Sequence, residues 1–220
     1  MTTHFVNLLE DLKRRAGRMA ALVADMVQEA CESVTDANDA LALRVIGRDR
    51  EVDAEEVAVE SEVIRLMALY QPVGSDLRLL CAILKTNNDL ERVADCAVNI
   101  AERARHMHAD TMARYGTMVQ EMEALVRWML EHAIQAFAVE DIVVARTTFA
   151  ADERVDALYE QIIRRIVDEG AASSEVMAAR LDVLSVAKNL ERIADHATNI
   201  AEDVIFLSTG EIVRHGDGAA

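Results

Sequence analysis

"LERVADCAVNIAE" fills residues 90–102 and returns as "LERIADHATNIAE" at residues 190–202, with ten of thirteen positions identical. Wound as a helix, at about 100° per residue, Glu91, Asp95, Asn99 and Glu102 fall within ~80° of one another and make one polar stripe. Leu90, Ala94, Ala97 and Ala101 make a neighbouring stripe. Its small side chains let another helix approach closely. Glu191, Asp195, Asn199 and Glu202 repeat the polar stripe one hundred residues later. A helix built this way belongs in a bundle, and here it occurs twice.

The rest of the chain falls into the same halves. Asp36-Ala37-Asn38 and Gln71-Pro72-Val73-Gly74 are the first breaks. The spacing predicts a helix over residues 4–35, with Phe5, Leu8, Leu9, Leu12, Leu22 and Met26 as its apolar stripe. Between the breaks, Val45, Val52, Val59 and Leu66 recur every seven residues, a helix seam. After Pro72, Ser75 and Asp76 are expected to cap a third helix running to about residue 108. The pattern restarts with helices expected over 112–138, from Glu140 to about Asp168, and from Ser174 to about Ser208. Gly170 and "AASS" precede the last of these and Gly210 ends it. A shift of 103 residues lays Asp49-x-x-Val52-Asp53-Ala54 on Asp152-x-x-Val155-Asp156-Ala157, and Val59 on Ile162. The expected fold is all-α: two tandem homologous three-helix bundles, residues 1–109 and 110–220, by duplication, with a crossover near residues 108–113.

Composition agrees. Of 220 residues 52% are hydrophobic, yet only eight are Phe, Tyr or Trp, so the core must be aliphatic. One proline and eight glycines favour long helices over many short strands. A net charge of −16 disfavours nucleic acid and anionic membrane surfaces, and favours cations or basic protein patches. No apolar run is long enough to span a bilayer, and the first residues lack the order of a secretory signal. Cys31, Cys81 and Cys96 lie far apart and form no zinc spacing, which fits reduced thiols in a cytoplasmic protein.

Three readings fit the doubled stripe. It is a solvated face laced with charge pairs, or a metal site, or a docking face for a protein. Glu91 and Asp95, like Glu191 and Asp195, stand at i, i+4, a spacing that offers two carboxylates to one hard cation. Asp49 with Asp53, and Asp152 with Asp156, show the same spacing on the preceding helix of each half and could face them. A ferritin-like di-iron oxidase would need Glu-x-x-His, and no glutamate here has a histidine three residues on. His196 has Cys96 as its counterpart, which argues against a shared His ligand. His4, His106, His108, His132 and His215 do not cluster, and no phosphate loop or nucleophile motif stands out. The chain is expected not to be an enzyme.

At these residues the sequence resembles the PhoU-like phosphate-transport regulatory proteins of bacteria, over nearly its whole length. The matching pieces are "QPVGSDLRLL" at 71–80, "NNDLERVADCAVNIAERA" at 87–104, "KNLERIADHATNIAEDVIFLSTGEIVRH" at 188–215, and the two Asp-x-x-Val-Asp pairs. The resemblance implies a cytoplasmic adaptor with no catalysis of its own. It would link a phosphate-specific ABC transporter, through its ATPase, to a sensor histidine kinase and hold the phosphate-starvation response off. It also implies metal ions (iron, zinc, manganese or magnesium) on Glu91, Asp95, Glu191 and Asp195, with Asp49, Asp53, Asp152 and Asp156 as facing ligands. A homodimer is expected, without membrane insertion; a metal-storing bundle is the alternative. The second half lacks the Pro-x-x-x-Asp-Leu-Arg string. Asp76 and Arg78 therefore read either as a partner contact or as a helix start, with Asp76 at its positive end and Arg78 paired locally or to a neighbouring helix.

Overall fold

A computed structural model of the chain describes residues 3–107 and 109–214. Six helices follow one another: α1 Thr3–Thr35, α2 Asp39–Tyr70, α3 Ser75–Ala104, α4 Ala109–Val139, α5 Ile142–Asp168 and α6 Ser174–Thr209. His108 and His215 lie outside the described residues, as does part of the expected crossover.

Local chemistry sets most of the ends. Asn38 caps α2, its side-chain oxygen accepting from the N–H groups of Ala40 and Leu41 at 3.1 and 3.2 Å. Asp141 does the same for α5 through Val143 and Val144, at 2.8 and 3.1 Å. α5 therefore starts after the expected Glu140, which stands in the left-handed region at φ 57°. The start of α3 corrects another expectation. Neither Ser75 nor Asp76 caps it. The cap position is Gly74, at φ 61° and ψ −127° with no side-chain cap, and Ser75 is the first helical residue. That backbone is open to glycine and little else. Pro72 lies in the preceding turn, after Gln71 at φ 46° closes α2.

In each half two helices pack on the third: α1 and α2 on α3, and α4 and α5 on α6. The seam of Val45, Val52, Val59 and Leu66 is wholly inside. So are Ala94, Ala97 and Ala101 and their counterparts Ala194, Ala197 and Ala201. α3 and α6 make the central, most extensive contact of the molecule. The two run antiparallel, since Lys85 meets Asp203 at one end and Arg103 meets Asp182 at the other. The largest apolar cluster draws residues from all six helices. The halves thus share one core.

The halves are related by a pseudo-two-fold between α3 and α6, and their charges break it. Asp89 accepts from His196 Nδ1 at 2.8 Å and from Asn199 Nδ2 at 3.1 Å across the halves. The symmetry-related pair is Asn189 and Cys96, which is neutral, with Cys96 fully buried. Asp203, where the first copy has Arg103, takes Lys85.

Candidate functional site

The duplicated stripe opens onto a groove in each half. In the first, α2 carries Asp49, Asp53 and Glu56 against Glu91, Asp95 and Glu102 of α3. Burial pushes the Asp49 carboxyl above the ordinary range, and the charges of Asp53, Asp95 and Glu102 push it further. Glu91 is raised in the same way, by burial first and then by Asp95, Glu56 and Asp53. Arg92 partly relieves the crowding, 3.3 Å from Glu91 and 3.5 Å from Asp95. In the second groove Asp195 is raised by burial, then by Glu191, Asp152 and Asp156. Lys188 answers there, 2.5 Å from Glu191 and poised over the Tyr159 ring. The eight carboxylates singled out in the sequence thus lie on neighbouring helices of the two halves, near enough to feel one another's charge.

Each set is a crowd of like charges on two helices, which stores repulsion that a cation relieves. Among the described residues no three His, Cys, Asp or Glu side chains stand ready around one ion position. In chemical type alone the donors suit a hard cation. They are carboxylates throughout. The sulfur and nitrogen donors next to them are committed elsewhere: Cys96 is buried with its thiol pushed up to about 11, and His196 is held by Asp89. Magnesium, manganese or iron suits oxygen ligands of this kind better than a thiolate-seeking zinc. These residues would hold the ion, and bound there it would neutralise the groove and tie α2 to α3, or α5 to α6.

The polar stripe does not stay whole in the second copy. Glu191 and Asp195 belong to the groove, but Asn199 turns to Asp89 of the other half. Glu202 is 9% exposed and lines a cleft of about 400 Å³ between the halves, with Asp89, Lys85, Asp203, Asn87 and Arg214. Asp203 is 4% exposed, and burial carries its carboxyl to about 6 despite Lys85. This inter-half polar layer was not anticipated. Its signal is the set of positions where the copies disagree: Asp89 against Asn189, His196 against Cys96, and Asp203 against Arg103.

Arg78 is occupied inside the fold. Its Nε donates to the Leu207 carbonyl at 3.3 Å, and its guanidinium lies against Gly210, so it fastens the end of α6 to the start of α3. Asp76 sits half-buried in the first turn of α3. The histidines remain scattered. His4 meets the edge of Tyr70, and His132 stacks on Trp128 while its Nδ1 bonds the Trp128 carbonyl. No helix among the described residues is long and apolar enough to cross a membrane.

Comparison with known proteins gives one answer. The PhoU domain matches the chain twice, over residues 16–104 and 119–204. A phosphate-specific transport system accessory protein PhoU homolog from Aquifex aeolicus is 37% identical over 207 residues, covering 94% of each chain. The homolog of that name from Caulobacter vibrioides is 35% identical over 216 residues, 96% of this chain and 94% of its own. The crystal structure of PhoU from Pseudomonas aeruginosa superimposes with a TM-score of 0.90 at 33% identity, covering 94% of this chain and all of that one. The phosphate transport system regulatory protein PhoU from Streptococcus pneumoniae gives 0.85 at 27% identity, over 96% of this chain and 99% of that one.

Proposed function

The chain belongs to the PhoU family, and from that membership we propose that it is an accessory and regulatory protein of phosphate transport. The carrying observation is the doubled family domain, matched end to end by relatives bearing that name. The finer reading is an adaptor: it binds the ATPase of a phosphate ABC transporter and the cytoplasmic part of a sensor histidine kinase, and represses the starvation response while phosphate is plentiful. Long rigid helices with a −16 charge suit this role, since a strong negative field speeds encounter with basic partner patches. Deleting the gene should leave phosphate-repressible genes on in high phosphate. Normal repression in the deletion strain contradicts the adaptor reading. Pull-down from membranes grown in high and low phosphate identifies the partners.

The crowded carboxylates support a second part of the same reading, a cation in each groove held by Asp49, Asp53, Glu91 and Asp95, and by Asp152, Asp156, Glu191 and Asp195. Removing Glu91 and Asp95 together by alanine should lower bound metal in purified, metal-incubated protein by about half, since one of two equivalent grooves is lost. The melting temperature of that variant without metal should rise, because the like-charge repulsion is relieved. Wild-type protein that takes up no iron, manganese, magnesium or zinc rules the cation out.

A further inference from the structure

We propose that a pocket at one end of the second half binds a small organic monocarboxylate, its charged group held by Arg114 and Arg180 and its apolar body resting on Val176 and Ala179. The pocket, of about 280 Å³, opens where α4 begins, α5 stops and α6 begins. It shares no lining residue with the cleft between the halves, and none of the groove carboxylates lines it. Thr111, Tyr115 and Arg180 of its wall are buried, at 8%, 1% and 5% exposure.

The duplication supplies a control within the molecule. The shift of 103 residues lays buried Met19, Val23 and Met26 of α1 on buried Met122, Val126 and Met129 of α4. The same shift lays Leu8, Leu12 and Leu66 on Thr111, Tyr115 and Glu169. The shift of one hundred lays Leu79 and Leu80 on Ala179 and Arg180. In the first half those five leucines pack in one apolar cluster. In the second half a leucine plug has become a polar cradle around a cavity. The fold does not require the change, because the other copy closes the same end with leucine. Buried polar groups cost stability where apolar ones would serve, so another demand placed them here.

The cradle has donors to spare. Arg180 donates to Glu169 and to the Gly170 carbonyl, both at 2.8 Å, and the Tyr115 hydroxyl donates to Glu169 at 2.8 Å. Arg114 and Arg165 stand 3.7 Å from the same carboxylate, an ion-pair distance longer than a hydrogen bond. The Nε of Arg180 is buried with no hydrogen-bond partner among the described residues. Glu175 also lines the pocket. Three arginines thus stand against two glutamates, in a chain of net charge −16. One added negative charge balances them, whereas a phosphate dianion overshoots beside Glu169 and Glu175. A carboxylate also matches the planar guanidinium fork. Val176 and Ala179 suit apolar atoms, which a bare inorganic ion lacks. At roughly 30 Å³ per water-sized group the cavity holds on the order of nine non-hydrogen atoms, enough for one carboxylate on a short aliphatic or aromatic body.

Ligand-detected NMR titration of the full chain with benzoate, hexanoate and inorganic phosphate tests this. Wild type should bind benzoate or hexanoate saturably at one site, with a dissociation constant on the order of 1 mM or tighter. Arg114→Gln should weaken binding about tenfold, with circular dichroism and melting unchanged because the side chain is 63% exposed. Ala179→Leu, which restores the residue of the first half, should fill the cavity and abolish binding. Arg164→Gln, which touches only the Glu160 pair outside the pocket, should change nothing. Phosphate should not displace either carboxylate. Wild type that binds neither carboxylate up to ~10 mM overturns the proposal. So does binding indifferent to Arg114→Gln and Ala179→Leu, or phosphate that takes the site more tightly than the carboxylates.

Discussion

Glu123 of α4 faces α1 at 7% exposure, with one carboxyl oxygen taking the Thr35 hydroxyl at 3.3 Å and the other without a hydrogen-bond partner. Burial lifts its pKa to about 7, against the lesser opposing pulls of Thr35 and Arg127. The folded pKa thus lies above the unfolded one. The folded state holds this proton more tightly, so its contribution is intact below about pH 4.5 and is lost as pH rises through about 7. Glu123→Gln should therefore stabilise the protein at about pH 8, by on the order of 2–3 kcal/mol, with the gain vanishing near about pH 4; urea denaturation at both pH values measures it. Glu123 itself gave no sign in the sequence, because nothing in its spacing separates a buried glutamate from a surface one. The doubled carboxylates stood out in the sequence because duplication printed them twice. The Asp89, Lys85 and Asp203 layer was not, since it lives where the copies differ and only the antiparallel meeting of α3 and α6 joins residues over a hundred positions apart.

Six helices were readable from seven-residue and 3.6-residue recurrence, because long aliphatic stripes leave few alternatives in a chain with one proline. Ends were harder where the backbone, not a side chain, makes the turn. Asn38 and Asp141 cap by accepting bonds, whereas Gly74 does so only by adopting a conformation closed to other residues. Asp141→Ala should remove the one oxygen that accepts from two N–H groups at the start of α5 and cost ~1 kcal/mol, read as a lower urea midpoint with unchanged slope. α6 starts under a different restraint: Arg180, 5% exposed, donates to the Gly170 carbonyl and to Glu169, both at 2.8 Å, and Glu169 also accepts from Tyr115. Arg180→Met should lower the urea midpoint only modestly, because Gly170 is exposed and Glu169 keeps Tyr115, Arg114 and Arg165.

At the scale of the molecule, the two halves are one cooperative body. α3 and α6 make the most extensive contact of the molecule, and the largest core cluster includes every helix. Heat should unfold the protein in a single calorimetric transition; two resolved transitions would mean separable halves. A double-mutant cycle on Asp89 and His196 should show a coupling of ~1 kcal/mol, as for any part-buried hydrogen bond between packed elements. Phe5, near the beginning of α1, and Leu207, near the end of α6, sit in the same apolar cluster, while α3 gives way to α4 at the opposite end. The order in which the halves are written is therefore immaterial to their assembly. A gene opened between α3 and α4 and rejoined through a short linker should yield a circular permutant with the same fold, its new ends on the far side from the old ones. Such a permutant offers a place to attach a reporter without touching either carboxylate groove.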